Sequence, residues 1–207
     1  MSVQTRDLAP GAQKKLLALL SKLERQLGTL KLLKDAPPLE QAMYLILREG
    51  NDFRKAGKAL KILEEEYVEW NELRVATPKE VISVLGPCGL SNLDDKVSRI
   101  LALLARLFYD FHKKDLQFVK IFEGPQREKI MQSLAPLGDH IQYVLLQQFE
   151  DSSMEPQGLV VSMEAMNQVH RLGLTRKTSS VNVAKRLLEK LVPQEDYYRF
   201  HYYIHRA

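Results

Sequence analysis

The sequence predicts an all-α protein, and three observations carry that prediction. Apolar residues recur at spacings of three and four through most of the chain, as in Leu16, Leu20, Leu23, Leu27 and Leu30. Helix-start and helix-stop residues punctuate those segments, and Thr77-Pro78-Lys79-Glu80 reads as a capping box with proline in the first turn. No strong alternating run marks a half-buried strand, and no internal repeat is visible.

Taken in order, the first helix is expected over Gln13 to Leu33. Lys31 and Lys34 place positive charge in its last turn, and Asp35-Ala36-Pro37-Pro38 stops it at a lobe boundary. Leu39 to Leu47 predicts a short apolar helix. The next helix runs through Lys58 to Trp70, with Arg54, Lys55, Lys58 and Lys61 as a solvated basic face and Glu64-Glu65-Glu66 on its polar side. Trp70, the only tryptophan, is expected as a core or lobe-junction anchor. A helix starts at the capping box and runs to Leu85. Asp94 to His112 follows, with Val97, Ile100, Leu101, Leu104 and Phe108 on one face. Asp115 to Phe122 fits a short strand or a helix equally well. Gln126 to Ser133, carrying Arg127 and Lys129, predicts a further helix.

Leu134-Ala135-Pro136-Leu137-Gly138-Asp139-His140-Ile141 reads as a tight turn between that helix and another over Ile141 to Phe149. Gly138 supplies a backbone conformation or close approach closed to other residues, and Asp139 is the expected N-cap. Such a turn can present amides to a phosphate. A polar break, Glu150 to Gly158, precedes Leu159 to Leu174. Then come a basic loop, Thr175 to Ser180, a helix over Val181 to Leu191 with Val183, Leu187, Leu188 and Leu191 inward, and an aromatic-rich final helix from Glu195.

Composition narrows the function classes. The 207 residues suffice for one large domain or two small lobes. One cysteine, Cys88, excludes an intramolecular disulfide framework. No apolar run approaches the roughly 20 residues that span a bilayer, and no secretory leader is evident, so an intracellular protein is expected. The net charge of +4 is uneven: residues 1–37 and 156–207 together carry +8, and the middle carries −4. A positive face formed by the two ends would suit a polyanion. No Walker, GxGxxG or zinc-ligand spacing occurs. His201 and His205 have an i, i+4 spacing that can bind metal, but no third ligand is apparent and packing is the expected role.

Several of these segments together resemble the helix-hairpin-helix glycosylase superfamily of endonuclease III. Leu134, Leu137 and Gly138 match the hairpin motif Leu-Pro-Gly-Val-Gly-Arg-Lys-Thr. Val161 and Arg171-Leu172-Gly173-Leu174 match a second motif about twenty residues on. Ile46 to Leu60 is similar to the segment Ile-Leu-Ser-Gln-Asn-Thr-Ser-Asp and its following Lys-Ala. Gly89-Leu90 with Lys96, Leu187-Leu188-Glu189-Lys190-Leu191-Val192-Pro193 and Ile204-His205-Arg206 fit later elements.

The resemblance spans roughly residues 38–206. It implies a two-lobe endonuclease III-like fold: a helical bundle over 38–155 that includes the degenerate hairpin, and a second helical lobe of 1–37 plus 156–207. It also implies where chemistry would sit. The family's nucleophilic lysine falls on His140, and its aspartate falls on Ser162. An imidazole forms no stable iminium and a hydroxyl carries no negative charge. The family's lesion-probing glutamine falls on Glu49, which phosphate and base edges would repel. Pro136 replaces the first hairpin glycine and removes one amide donor. Members' four-cysteine iron–sulfur loop has no counterpart before Ala207, so no iron–sulfur cofactor and no metal are expected.

The expected function is therefore a DNA-binding, repair-related protein that lacks glycosylase and lyase activity, cytoplasmic or nucleoid-associated, with double-stranded DNA, intact or damaged, as its partner. Its candidate contacts are Leu137, Gly138, His140, Arg171, Arg176 and Lys177. Two alternatives stay open. One is a divergent monofunctional glycosylase using Glu164 or Asp139. The other is a protein-interaction module on the same fold.

Overall fold

The computed structural model describes residues 8–33, 35–151, 158–178 and 180–206. Lys34, Ser179, Ala207 and the lobe boundary expected at 155–156 lie outside them. Among the described residues there are eleven α-helices, short 3-10 turns and a single isolated bridge, Leu8 to Thr175. The chain divides into two compact units, residues 1–29 with 143–207, and residues 30–142. No helix of the described residues is long and apolar enough to cross a membrane.

The discontinuous unit begins with α1 (Ala12–Leu27), whose Leu16, Leu20 and Leu23 are buried. Its helix is shorter than expected. Gly28 ends it at φ 81°, ψ 152°, a conformation that needs glycine, and Tyr203 Oη donates to the Gly28 carbonyl at 2.7 Å. The prolines at 37 and 38 therefore do not stop α1. They open the next helix, where a missing amide is harmless. Lys31 consequently lies beyond α1, its ammonium 4.7 Å from the Phe53 ring centroid.

The same unit holds most of α8 (Asp139–Asp151), α9 (Met163–Arg171), α10 (Val181–Leu191) and α11 (Tyr197–Ile204). α1 packs on α10 and α11, and α9 packs on the same two helices. α10 turns Ala184, Leu187, Leu188 and Leu191 inward, and Val183 is half-buried. Arg199 of α11 reaches Glu24 of α1 at 2.7 Å and also pairs with Asp196.

The continuous unit contains α2 (Pro38–Arg48), α3 (Phe53–Glu66), α4 (Trp70–Val75), α5 (Pro78–Leu85), α6 (Leu93–Tyr109) and α7 (Gly124–Ser133). α6 packs against α2, α4, α5 and the hairpin turn at Ala135–Leu137. Its buried face is Val97, Ile100, Leu103, Leu104 and Leu107; the expected Leu101 is only half-buried and Phe108 is 37% exposed. The apolar run is wide enough to fit two neighbouring stripes, and packing selected one.

The helix expected through Trp70 breaks at Tyr67, where the backbone becomes extended, and Trp70 opens α4 half-buried. The capping box at Thr77 forms as expected, with Thr77 accepting from the Glu80 amide and Glu80 accepting from the Thr77 amide at 2.7 Å. The ambiguous 115–122 stretch contains a 3-10 helix, Gln117–Ile121.

Candidate functional site

The hairpin is built from α7, the Ala135–Leu137 turn and the start of α8. The Leu137 amide donates to the Leu134 carbonyl at 3.0 Å, and the Gly138 amide donates to Ala135 at 3.2 Å. Gly138 sits at φ 72°, ψ 152°, a region closed to side chains, and an added Cβ would meet the His140 ring at 3.3 Å. The amides of Ile141 and Gln142 both donate to the Gly138 carbonyl. Gly138, not Asp139, therefore takes the position before the helix; Asp139 is its exposed first residue.

Three side chains meet behind this turn. Glu49, at the C-terminal cap of α2, takes both Arg99 nitrogens in a bidentate pair at 2.7 and 2.9 Å. His140 Nε2 lies 3.0 Å from Glu49 Oε1. Arg99, on α6, also donates to two hairpin carbonyls, Pro136 at 2.8 Å and Leu137 at 3.1 Å. One guanidinium thus fastens the hairpin to α2 and α6. Its two Nη groups fork onto the carboxylate, while Nε and a second N–H of one Nη reach the turn.

All three side chains are mostly out of water, at 21% exposure for Arg99, 18% for Glu49 and 14% for His140. Burial alone would raise the Glu49 carboxyl. The hydrogen bonds and charges of His140 and Arg99 outweigh it and hold the group down at about 2. Glu49 is therefore ionised at neutral pH, and the histidine nitrogen facing it carries a proton.

The backbone carrying Glu49 is fixed as well. Asn51 donates to the carbonyls of Leu47 and Glu49 and accepts from the Ser91 amide at 2.8 Å. The buried Lys96 ammonium reaches the Ser91 carbonyl at 2.8 Å. Arg54, Lys55, Lys58 and Lys61 are exposed on α3; Lys55 donates to the Gly89 carbonyl and Lys61 pairs with Glu65.

The remaining site residues lie on the other unit or near the turn. Ser162 is buried, and its hydroxyl accepts from the Ala165 amide at 3.1 Å, capping α9. Ser162→Ala is expected to lower stability by about 1 kcal/mol, read from the urea midpoint, because a capping oxygen is removed. Glu164 is exposed in the first turn of α9 and faces Arg171 at 3.9 Å. Arg176 and Lys177 are exposed in the loop that follows. Leu137 is fully buried, its amide donating to the Leu134 carbonyl and its carbonyl accepting from Arg99, so the turn presents Gly138 and His140 and not Leu137.

His201 is fully buried and stacked on Tyr143, and burial with the neighbouring His205 pushes it down to about 3. Among the described residues no group of three or more histidine, cysteine, aspartate or glutamate side chains is placed to hold a metal ion.

Arg99 was not singled out in the sequence. Glu49 and His140 were, but as two separate substitutions 91 residues apart. The nearest available signal was Asp95, one turn before Arg99, which marks a paired arginine and not its distant partners.

Two solved structures share this arrangement of helices. One is a covalent endonuclease III–DNA intermediate, trapped as an estranged-adenine complex, with TM-score 0.54. The other is a non-covalent endonuclease III–DNA complex, with TM-score 0.53. Each is 17% identical over 93% of this chain and 84% of its own. The fold is that of endonuclease III. No protein-family model matches the sequence, and no curated protein matches it. The chain shares the helical scaffold of those structures.

Proposed function

We propose that this protein binds double-stranded DNA, intact or damaged, in a repair-related role inside the cell, without glycosylase or lyase chemistry. One observation carries the reading: Glu49 and His140, at the positions the resemblance gives to the probing glutamine and the nucleophilic lysine, are bonded to each other, and Glu49 is bonded in turn to Arg99. A histidine engaged with a carboxylate on a clamped turn offers no amine to a sugar carbon. The capping duty of the Ser162 hydroxyl fits the same reading. One thiol in the whole sequence supplies no donor set for a four-thiolate cluster, so no step is assigned to one.

DNA contact would use the hairpin at Gly138 and His140, and the exposed Arg171, Arg176 and Lys177, with the buried Leu137 holding the turn from inside. The test is binding to intact and abasic duplexes across a salt series, with strand cleavage scored in the same samples. Three phosphate contacts through these cations predict about a 40-fold loss of affinity between 50 and 200 mM salt. Replacing all three by alanine should flatten that dependence. Cleavage of the abasic duplex would overturn the loss of chemistry and direct attention to Glu164 and Asp139. Absence of binding would favour the protein-interaction reading, toward which the buried glutamate beside the hairpin already points.

A further inference from the structure

An open groove of about 430 Å³ lies in the continuous unit, at the break between α3 and α4. Its walls come from Glu40 of α2, Glu64 of α3, Tyr67, Val68 and Glu69 of the connection, Trp70 and Asn71 of α4, and Lys114 and Asp115 after α6. Four carboxylates and one ammonium therefore surround two aromatic rings. Lys114 is drawn to one side by Glu69, at 3.5 Å. Val68, at the rim, is 88% exposed.

Elsewhere in the described residues, aromatic rings carry the protein's own cations. Lys31 and Arg54 lie over Phe53, Arg74 lies over Phe108 and Tyr109, and Arg206 lies over Tyr202. Among those residues no lysine or arginine lies over Tyr67 or Trp70. The local field is negative: burial and the Glu64 carboxylate push Glu40 up, against a hydrogen bond from Trp70, and burial with Glu66 and Glu80 pushes the Tyr67 phenol up.

We propose that this groove is a docking site for an arginine-bearing basic peptide segment of a protein partner. The guanidinium would lie against the Trp70 and Tyr67 rings with Glu40, Glu64 and Glu69 around it, and an apolar neighbour in the peptide would cover Val68. Aromatic faces and carboxylates attract the same cation, and a planar one best uses both. Nucleic acid is disfavoured at this face by the carboxylates. Arg74 shows the geometry next door, its guanidinium 4.0 Å from the Phe108 ring centroid.

The experiment uses the full chain and the fluorescence of Trp70, its only tryptophan, with calorimetry in parallel. The probe is a capped ten-residue peptide carrying two arginines flanked by leucines; the control has glutamates in their place. The arginine peptide is expected to give saturable heat and a change in Trp70 emission, and the glutamate peptide neither. The exposed pair Glu64→Lys and Glu69→Lys should weaken binding at least tenfold with an unchanged melting temperature. The proposal is overturned if the arginine peptide gives no heat, if both peptides bind alike, if the double variant binds as the wild type does, or if duplex DNA competes for the groove. These outcomes are independent of the salt series, which depends on Arg171, Arg176, Lys177 and the hairpin.

Discussion

Arg99→Leu should lower the stability of the protein by about 3 kcal/mol. Removing the guanidinium leaves the Glu49 carboxylate mostly buried beside only a histidine and leaves two hairpin carbonyls without their donor. Breaking a buried ion pair from one side costs about 3–5 kcal/mol, and the one-fifth exposure of both groups places this pair at the lower end. Leucine keeps much of the aliphatic packing, so the loss reads the polar contacts. Arg99→Lys should recover only part of it, since an ammonium cannot fork across a carboxylate and also reach the Pro136 and Leu137 carbonyls. Urea unfolding with an unchanged m-value checks both variants. A loss under about 1 kcal/mol for the leucine variant would show that the clamp is mechanically unimportant.

The second large effect is an acid limb belonging to Glu49. Its folded carboxyl is held at about 2 against an ordinary value of 4.5. A depressed carboxyl stabilises the fold fully above the unfolded value and loses that contribution as pH falls toward the folded one. The window is therefore pH 4.5 down to about 2, and the shift corresponds to roughly 3 kcal/mol. Glu49→Gln removes the titration, so the stability difference between wild type and variant should shrink by about that amount across the window. Urea midpoints at half-unit pH steps measure it. A constant difference from pH 6 to pH 2 would show that Glu49 is not the titrating group.

These two residues mark how far the sequence could be read. Helix positions were legible because apolar spacing is local: the Leu16–Leu20–Leu23 stripe and the Thr77–Glu80 box need only neighbours along the chain. Ends were less so. Gly28 ends α1 in a conformation only glycine adopts readily, and Tyr203, 175 residues later, donates to its carbonyl; spacing carries no trace of that contact. In the site, Glu49 and His140 stood out through the resemblance, but their bond depends on α2 and the hairpin meeting against α6. Arg99 was invisible because an arginine beside an apolar stripe is the commonest surface pattern of a helix. Ser162 was weighed as a missing carboxylate, whereas its placement before Met163 makes it a cap. With alanine at the third helical position, the reciprocal box that would have announced a cap was absent.

The discontinuous unit imposes an order on biosynthesis. α1 leaves the ribosome before the rest of its unit, and the groups that complete its packing, Arg199 against Glu24 and Tyr203 against Gly28, lie 175 residues downstream of their partners. At roughly 5–20 residues per second, the intervening chain takes on the order of ten seconds to appear. The unit over 30–142 has all its sequence within that interval and can condense while α1 still waits with Leu16, Leu20 and Leu23 uncovered. Until the C-terminal helices emerge, the leucine stripe of α1 lacks the partners that cover it in the folded protein.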